Sequence, residues 1–460
     1  MIPVIALIGR PNVGKSTLFN VLTRSRDAIV ASAPGLTRDR QYGIGKRSEK
    51  KFIVVDTGGL SGNKQDLDDL MARQTLIALE EADEILFMVD AQDGLTGGDE
   101  VIADLVRKSG KSICVVINKV DGIDPTQAQA EFYALGFSHI RVISASHRKG
   151  INPLIESVLE SYPEGQAETI KSEGPSIAVI GRPNVGKSTL INRLAGEERV
   201  VAFDQPGTTR DTISVPFERR GKHYTLIDTA GVRKKGKVRE LVETFSAIKA
   251  LEAIEKSNVV ILVIDARDGL TDQDLSLLGF ALNSGRALVI AVNKWDGLEP
   301  EQRDYNKQTL KRRLTFASFA AQHYISALHG TGVGEMMASI DQAYTSAFRD
   351  FNTRFLTDLL EEAVFKHNPP LHKGRRIKLR YAHQGGKNPP IIVIHGNKTE
   401  YLPDTYQRYL MSFFINRLKL KGTPVRIELK SGKNPFEGRP NPLSGRQKSK
   451  KKRPMKQVKR

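Results

Sequence analysis

The chain is 460 residues long, 39% hydrophobic and 27% charged, with a net charge of +18. That length exceeds what one core supports and suits three domains, while no apolar run approaches the ~20 residues of a helical membrane span. A single cysteine, Cys114, lies in the apolar run from Ile113 to Ile117; it excludes a disulfide framework or a thiolate-ligated metal and reads as a buried strand residue. Met1 to Ile8 lacks the basic start of a secretory leader and reads as a first strand, so a cytoplasmic protein is expected.

That strand runs into Gly9-Arg10-Pro11-Asn12-Val13-Gly14-Lys15-Ser16, which contains G-x-x-x-x-G-K-S. Such a loop wraps a phosphate chain in backbone N–H groups, lays Lys15 along the outer phosphates and offers the Ser16 hydroxyl to Mg²⁺. Pro34 to Asp39 follows, where the hydroxyl and N–H of Thr37 are placed to sense a γ-phosphate and its metal. Further apolar runs occur at Phe52 to Val55, Ile85 to Val89, Ile113 to Ile117 and Arg141 to Ile143. Separated by amphipathic stretches, they predict a mostly parallel α/β sheet with helices on both faces. In such sheets ligands bind beyond the carboxyl ends of the strands, where Asp56-Thr57-Gly58-Gly59-Leu60 and Asn118-Lys119-Val120-Asp121 fall. Asp56 is expected to hold Mg²⁺ through water, and Gly59 lets backbone approach the γ-phosphate. The Asp121 carboxylate can accept from both N1–H and the exocyclic amine of guanine, a donor pair that adenine lacks. Ser144-Ala145 places a backbone N–H for guanine O6.

The whole set then recurs. Gly181-Arg182-Pro183-Asn184-Val185-Gly186-Lys187-Ser188 repeats the phosphate loop without a change, 172 residues on, and Thr209 and Asp228-Thr229-Ala230-Gly231-Val232 keep that offset. Asp90 to Thr96 returns at Asp265 to Thr271, Asn293-Lys294-Trp295-Asp296 returns at an offset of 175, and Ser326-Ala327 at 182. Loops alone change length, as expected of two copies of one domain. Lys187, Ser188, Thr209, Asp228 and Asp296 take the roles of their counterparts. The predicted organisation is a first domain at 1–162, a polar linker at 163–175 and a second domain at 176–349.

A smaller α+β domain is expected at 350–431, starting with a helix on which Phe355, Leu356, Leu359, Leu360, Ala363 and Val364 fall at helical spacing. Strand-like runs follow at Ile377 to Tyr381, Ile391 to Ile394 and Val425 to Leu429. A helix from Asp404 to Lys419 bears Tyr406, Tyr409, Leu410, Phe413, Phe414 and Leu418 on one side, read as a core stripe. Residues 432–460 read as a disordered basic tail. Residues 351–460 hold 26 Lys and Arg against 7 Asp and Glu, so the positive charge belongs to this quarter, and a polyanionic partner is implied.

On these motifs the chain resembles the Der (EngA) family of bacterial GTPases, with two tandem G domains and a C-terminal KH-like domain. The resemblance implies hydrolysis of GTP to GDP and a role in biogenesis of the large (50S) ribosomal subunit, with that subunit and its RNA as partners. Nothing demands more than a monomer. Small GTPases often carry a water-orienting Gln where this chain has Leu60 and Val232, so turnover is expected to be slow or to use another group. In similar GTPases a potassium ion, held partly by the phosphate-loop Asn, supplies that charge, and Asn12 and Asn184 match. Residues 350–430 lack the G-x-x-G clamp of ordinary KH domains, which leaves Arg375, Arg376, Lys378 and Arg380 as candidate RNA contacts. The alternative is an RNA-binding assembly scaffold whose nucleotide sites are structural. Arg233-Lys234-Lys235-Gly236-Lys237 is a solvated loop or a switch-dependent contact.

Overall fold

A computed structural model describes residues 2–23, 41–45, 47, 48, 50–57, 76, 78–162, 174–196, 214–227 and 247–431. The expected tail and most of the expected linker lie outside them, as does the basic run 233–237. The first domain contains β1 (Val4–Ile8), α1 (Lys15–Thr23), β2 (Gln41–Ile44), β3 (Ile53–Asp56), β4 (Glu84–Asp90), α2 (Gly97–Lys108), β5 (Ser112–Asn118), α3 (Pro125–Phe132), β6 (Ile140–Val142) and α4 (Ile151–Leu159). The second contains β7 (Ser176–Ile180), α5 (Lys187–Gly196), β8 (Ser214–Arg219), β9 (Lys222–Ile227), α6 (Ala247–Lys256), β10 (Val259–Asp265), α7 (Asp272–Ser284), β11 (Ala287–Asn293), α8 (Pro300–Arg313), β12 (Ala321–Tyr324) and α9 (Val333–Phe348).

Each domain is a six-stranded sheet in the same order, β2-β3-β1-β4-β5-β6 and β8-β9-β7-β10-β11-β12. The sheets are parallel except for the edge strands β2 and β8. Every residue of β1, β4, β10 and β11 is buried, which explains their unbroken apolar runs. Register aligns the strand ends that matter, pairing Leu7 with Asp56, Asp90 with Asn118 and Asp265 with Asn293. The antiparallel edge strands were not singled out in the sequence. β8 and β9 join through Arg220 (φ 49°) and Gly221 (φ 74°), two left-handed residues that fit a type I′ hairpin turn.

The two G domains share a small core. Val4, Ile53 and Val55 of the first pack with Ile248 and Leu251 on α6 of the second. Beside it, the Glu255 carboxylate accepts from Lys51 Nζ at 2.5 Å and from Arg286 Nη2 at 3.1 Å. Burial pushes the Glu255 carboxyl up, but the charges of Arg286 and Lys51 prevail and hold it below the usual range. A carboxyl depressed in the fold stabilises above its unfolded pKa, and that contribution is lost as pH falls through the folded value. Glu255→Gln should therefore cost about 3 kcal/mol near neutrality, and the gap to the parent should shrink below about pH 4.5. Thermal denaturation across that range checks this; a gap independent of pH would contradict the charge assignment.

Asp350–Gly385, Ile391–Phe414 and residues 426–431 form a second compact unit. It contains α10 (Thr353–Lys366), a short hairpin of β13 (Leu371–His372) and β14 (Arg375–Arg376), and a sheet of β15 (Lys378–Gly386), β16 (Ile391–Asn397) and β17 (Arg426–Ser431). α11 (Asp404–Arg417) buries Tyr406, Leu410, Phe413 and Phe414. Asn352 caps α10 by accepting from Arg354 N–H at 2.8 Å. Among the described residues no helix is long and apolar enough to cross a membrane.

Candidate functional site

Each phosphate loop leaves the end of a buried central strand and enters a helix at its lysine, so the N-terminus of α1 or α5 faces the loop's concavity. Asn12 and Asn184 adopt φ of 66° and 62°, a left-handed conformation that Asn tolerates. Alternation of hand along such a loop turns successive N–H groups to one side and makes an anion nest. Lys15 is buried, and its Nζ donates to the carbonyls of Gly9 and Arg10, each at 2.8 Å. Burial lowers its pKa while the charge of Asp56 opposes that effect. Lys187 Nζ donates to the Arg182 carbonyl at 2.7 Å. In both domains the ammonium is held at the loop by carbonyls that a phosphate can replace. Val13 and Val185 are buried beneath the loops, whereas Pro11 is exposed and Pro183 partly so.

The loop arginines point elsewhere. Arg10 Nε donates to Asp99 at 2.9 Å, and Arg182 Nε to Asp274 at 3.2 Å. Asp99 and Asp274 are fully buried and cap α2 and α7 by accepting from Thr96 and Thr271. These guanidinium groups therefore fasten the phosphate loops to α2 and α7, and the backbone of Arg10 and Arg182 is left to line a ligand. The repeated segments Asp90 to Thr96 and Asp265 to Thr271, to which no role had been given, hold Thr96, Thr271 and the further arginine partners Asp93 and Asp268, whereas Asp99 and Asp274 lie three residues beyond them.

Asn118 and Asn293 join three segments. Asn118 Nδ2 donates to the Val13 carbonyl at 2.9 Å and its Oδ1 accepts from Ala145 N–H at 3.0 Å; Asn293 makes the same bonds to Val185 and Ala327, both at 2.8 Å. The Ala145 and Ala327 amides expected at guanine O6 are thus engaged here in bracing the loop. A Cβ on Gly14 or Gly186 would collide with the amide of Asn118 or Asn293, so glycine is required there by close approach as well as by a positive φ. Lys119 and Lys294 bond the buried Asp90 and Asp265 at 2.5 Å, which fixes each lysine at the end of its strand pair. Ser144 Oγ donates to Asp121 Oδ2 at 2.9 Å, and His329 Nε2 lies 3.3 Å from Asp296 Oδ2. Asp121 and Asp296 remain partly exposed.

Ser16 is exposed in the first turn of α1, and Asp56 is fully buried at the end of β3. Thr57 is buried and its hydroxyl donates to the Leu7 carbonyl at 2.9 Å, which fixes the chain just beyond that carboxylate. A hydroxyl and a carboxylate are hard oxygen donors, too few for a protein-only cage and suited to Mg²⁺ completed by phosphate and water. Ser188 begins α5 in the equivalent place. Thr37, Gly58, Gly59, Leu60, Thr209, Asp228, Thr229, Ala230, Gly231 and Val232 lie outside the described residues.

A phosphate loop on a parallel α/β sheet, joined through an Asn to a separate Asn-Lys-x-Asp segment, defines a P-loop GTPase, and the chain contains that arrangement twice. A family model described as 50S ribosome-binding GTPase matches residues 4–119 and again 176–294, and one described as the KH-domain-like region of EngA bacterial GTPase enzymes matches 351–430. GTPase Der of Marinobacter nauticus is 57% identical over 462 residues, covering 100% of this chain and 98% of that one. GTPase Der of Thioalkalivibrio sulfidiphilus is likewise 57% identical, over 463 residues and 100% of both chains. The chain belongs to the Der (EngA) family of GTPases, and it is a GTP-hydrolysing protein with two G domains.

Proposed function

We propose that both sites bind and hydrolyse GTP, and that their nucleotide state governs binding of the chain to an assembling 50S subunit in the cytoplasm. The observation that carries this is the duplication: both phosphate loops are tied to their base readers by the same hydrogen bonds. The ribosomal partner is supported by the family description and by the excess of positive charge in the C-terminal quarter. Mg²⁺ would be held by Ser16, Thr37 and Asp56 in one domain and by Ser188, Thr209 and Asp228 in the other, supplying charge to the β- and γ-phosphates. Potassium beside Asn12 and Asn184 would supply the charge that Leu60 and Val232 cannot, and faster turnover in potassium than in sodium salts tests it. A monomer suffices for this scheme.

Co-sedimentation with 50S particles in GTP, GDP and a non-hydrolysable GTP analogue tests the switch. The analogue should raise the pelleted fraction of the parent over GDP, and the Lys15→Ala and Lys187→Ala chains should show a smaller difference. Equal pelleting in all nucleotides, with no turnover in either salt, would favour a scaffold with structural sites.

A further inference from the structure

The small sheet has two unlike faces. On the α10 side Ala382, Ile392 and Ile394 are fully buried, and the Thr357 hydroxyl of α10 donates to the Ala382 carbonyl at 3.2 Å. Alternation along the strands sends Tyr381, His383 and His395 to the other side. There the Tyr381 and His395 rings stack with centroids 4.4 Å apart and planes 6° from parallel, and His383 extends the stack at 5.1 Å and 29° from His395. Tyr381 is 43% exposed. Register sets exposed Lys430 beside His395 and exposed Arg426 beside Ile391, with Glu428 between them as an acidic member of the row. A second pair, His372 and Tyr401, stacks at 4.0 Å and 13°, and Tyr401 is 48% exposed. The turn carrying Tyr401 is fastened to the end of β17, where Thr399 N–H donates to Ser431 Oγ at 3.0 Å. Both stacks therefore lie toward one end of the sheet.

An ordinary core would fill such positions with aliphatic side chains. Flat rings, partly exposed, with exposed Lys430 on the paired strand β17 and exposed Arg375 and Arg376 on the separate β13–β14 hairpin of the same unit, match a ligand that is both planar and anionic. Residues 350–431 hold 15 Lys and Arg against 7 Asp and Glu, so the field of this unit attracts polyanions. We infer that this sheet face, where Tyr381 is exposed and Val393 beneath the rings is buried, is a stacking platform for unpaired bases of single-stranded RNA, separate from the G-x-x-G clamp of ordinary KH domains. Burial first, and then the neighbouring His383 and Lys430, holds His395 below the usual imidazole range, which favours the neutral ring in the stack. Duplex RNA keeps its bases stacked internally and cannot offer their faces to such a surface. The inference deepens the ribosomal reading by naming unpaired RNA as what the C-terminal unit contacts.

Fluorescence anisotropy of the full chain with a labelled, unstructured RNA of about 12 nucleotides, against a duplex of equal length, tests it. Tyr381→Ala with His395→Ala should weaken single-strand binding on the order of 10- to 100-fold. The slope of log affinity against log salt should stay unchanged, because no phosphate contact is removed. Tyr381→Phe should bind like the parent, and Tyr381→Leu, which keeps bulk but no ring, should lose about 10-fold. Parental affinity in the double variant and in Tyr381→Leu, or equal losses for single strand and duplex, would overturn the platform. If the platform fails while nucleotide-dependent 50S pelleting persists, the ribosomal reading stands without it. If pelleting fails while ring-dependent RNA binding persists, the platform stands and the 50S partner is wrong.

Discussion

Replacing both carboxylates proposed to read the base, Asp121→Asn with Asp296→Asn, is expected to lower GTP affinity roughly 10²- to 10⁴-fold and to raise affinity for xanthosine triphosphate. Each carboxylate would accept two hydrogen bonds from guanine, and charge-assisted bonds are worth about 1.5 to 3 kcal/mol apiece. An amide presents one acceptor and one donor, so it faces the guanine amine with a donor and is left unsatisfied; xanthine, which has a carbonyl there, restores the match. The substitution is nearly isosteric and Asp121 and Asp296 are partly exposed, so the fold should tolerate it. Asn118 and Asn293 make a poor substitute for this test, because their amides brace the phosphate loop and an effect there would report geometry as well as base choice. Calorimetric titration with both nucleotides checks the expectation; unchanged GTP affinity in the double variant would remove the base assignment.

The second large effect concerns the phosphate-loop lysines. Lys15→Ala and Lys187→Ala should each silence one site, and together they should reduce steady-state GTP hydrolysis by about 10³-fold. The reason is electrostatic: charge that grows on the departing phosphoryl group and leaving oxygen needs a cation already in place, and Lys15 is preset at the loop by the Gly9 and Arg10 carbonyls. Rates of the two single variants apportion turnover between the sites. More than about a tenth of parental activity in the double variant would contradict a role in stabilising that charge.

Most of the fold was legible because strands buried on both faces leave continuous apolar runs, and because every motif appears twice in the same order. Asp56, Asn118 and Asn293 could be placed at strand ends from the run preceding each. Edge strands β2 and β8 were not visible: half-buried residues at Gln41–Ile44 and Ser214–Arg219 give no strong period, and the Arg220-Gly221 turn is not a common hairpin signal. The side-chain directions of Arg10 and Arg182 were hidden because a loop pattern constrains the backbone and says nothing of partners about ninety residues away. Packing of Ile248 and Leu251 against the first G domain looks, in sequence, like any amphipathic helix face. The Tyr381, His383 and His395 stack depends on cross-strand register, which no linear spacing encodes.

Both G domains of the chain are proposed to hold a guanine nucleotide. Isothermal titration of the intact protein with GDP or a non-hydrolysable GTP analogue in Mg²⁺ tests it most directly. Two equivalents per chain are expected, falling to one when either Gly14→Ala or Gly186→Ala drives a Cβ into its bracing Asn. A parental stoichiometry of one, or tighter uptake of adenine nucleotides, would contradict it.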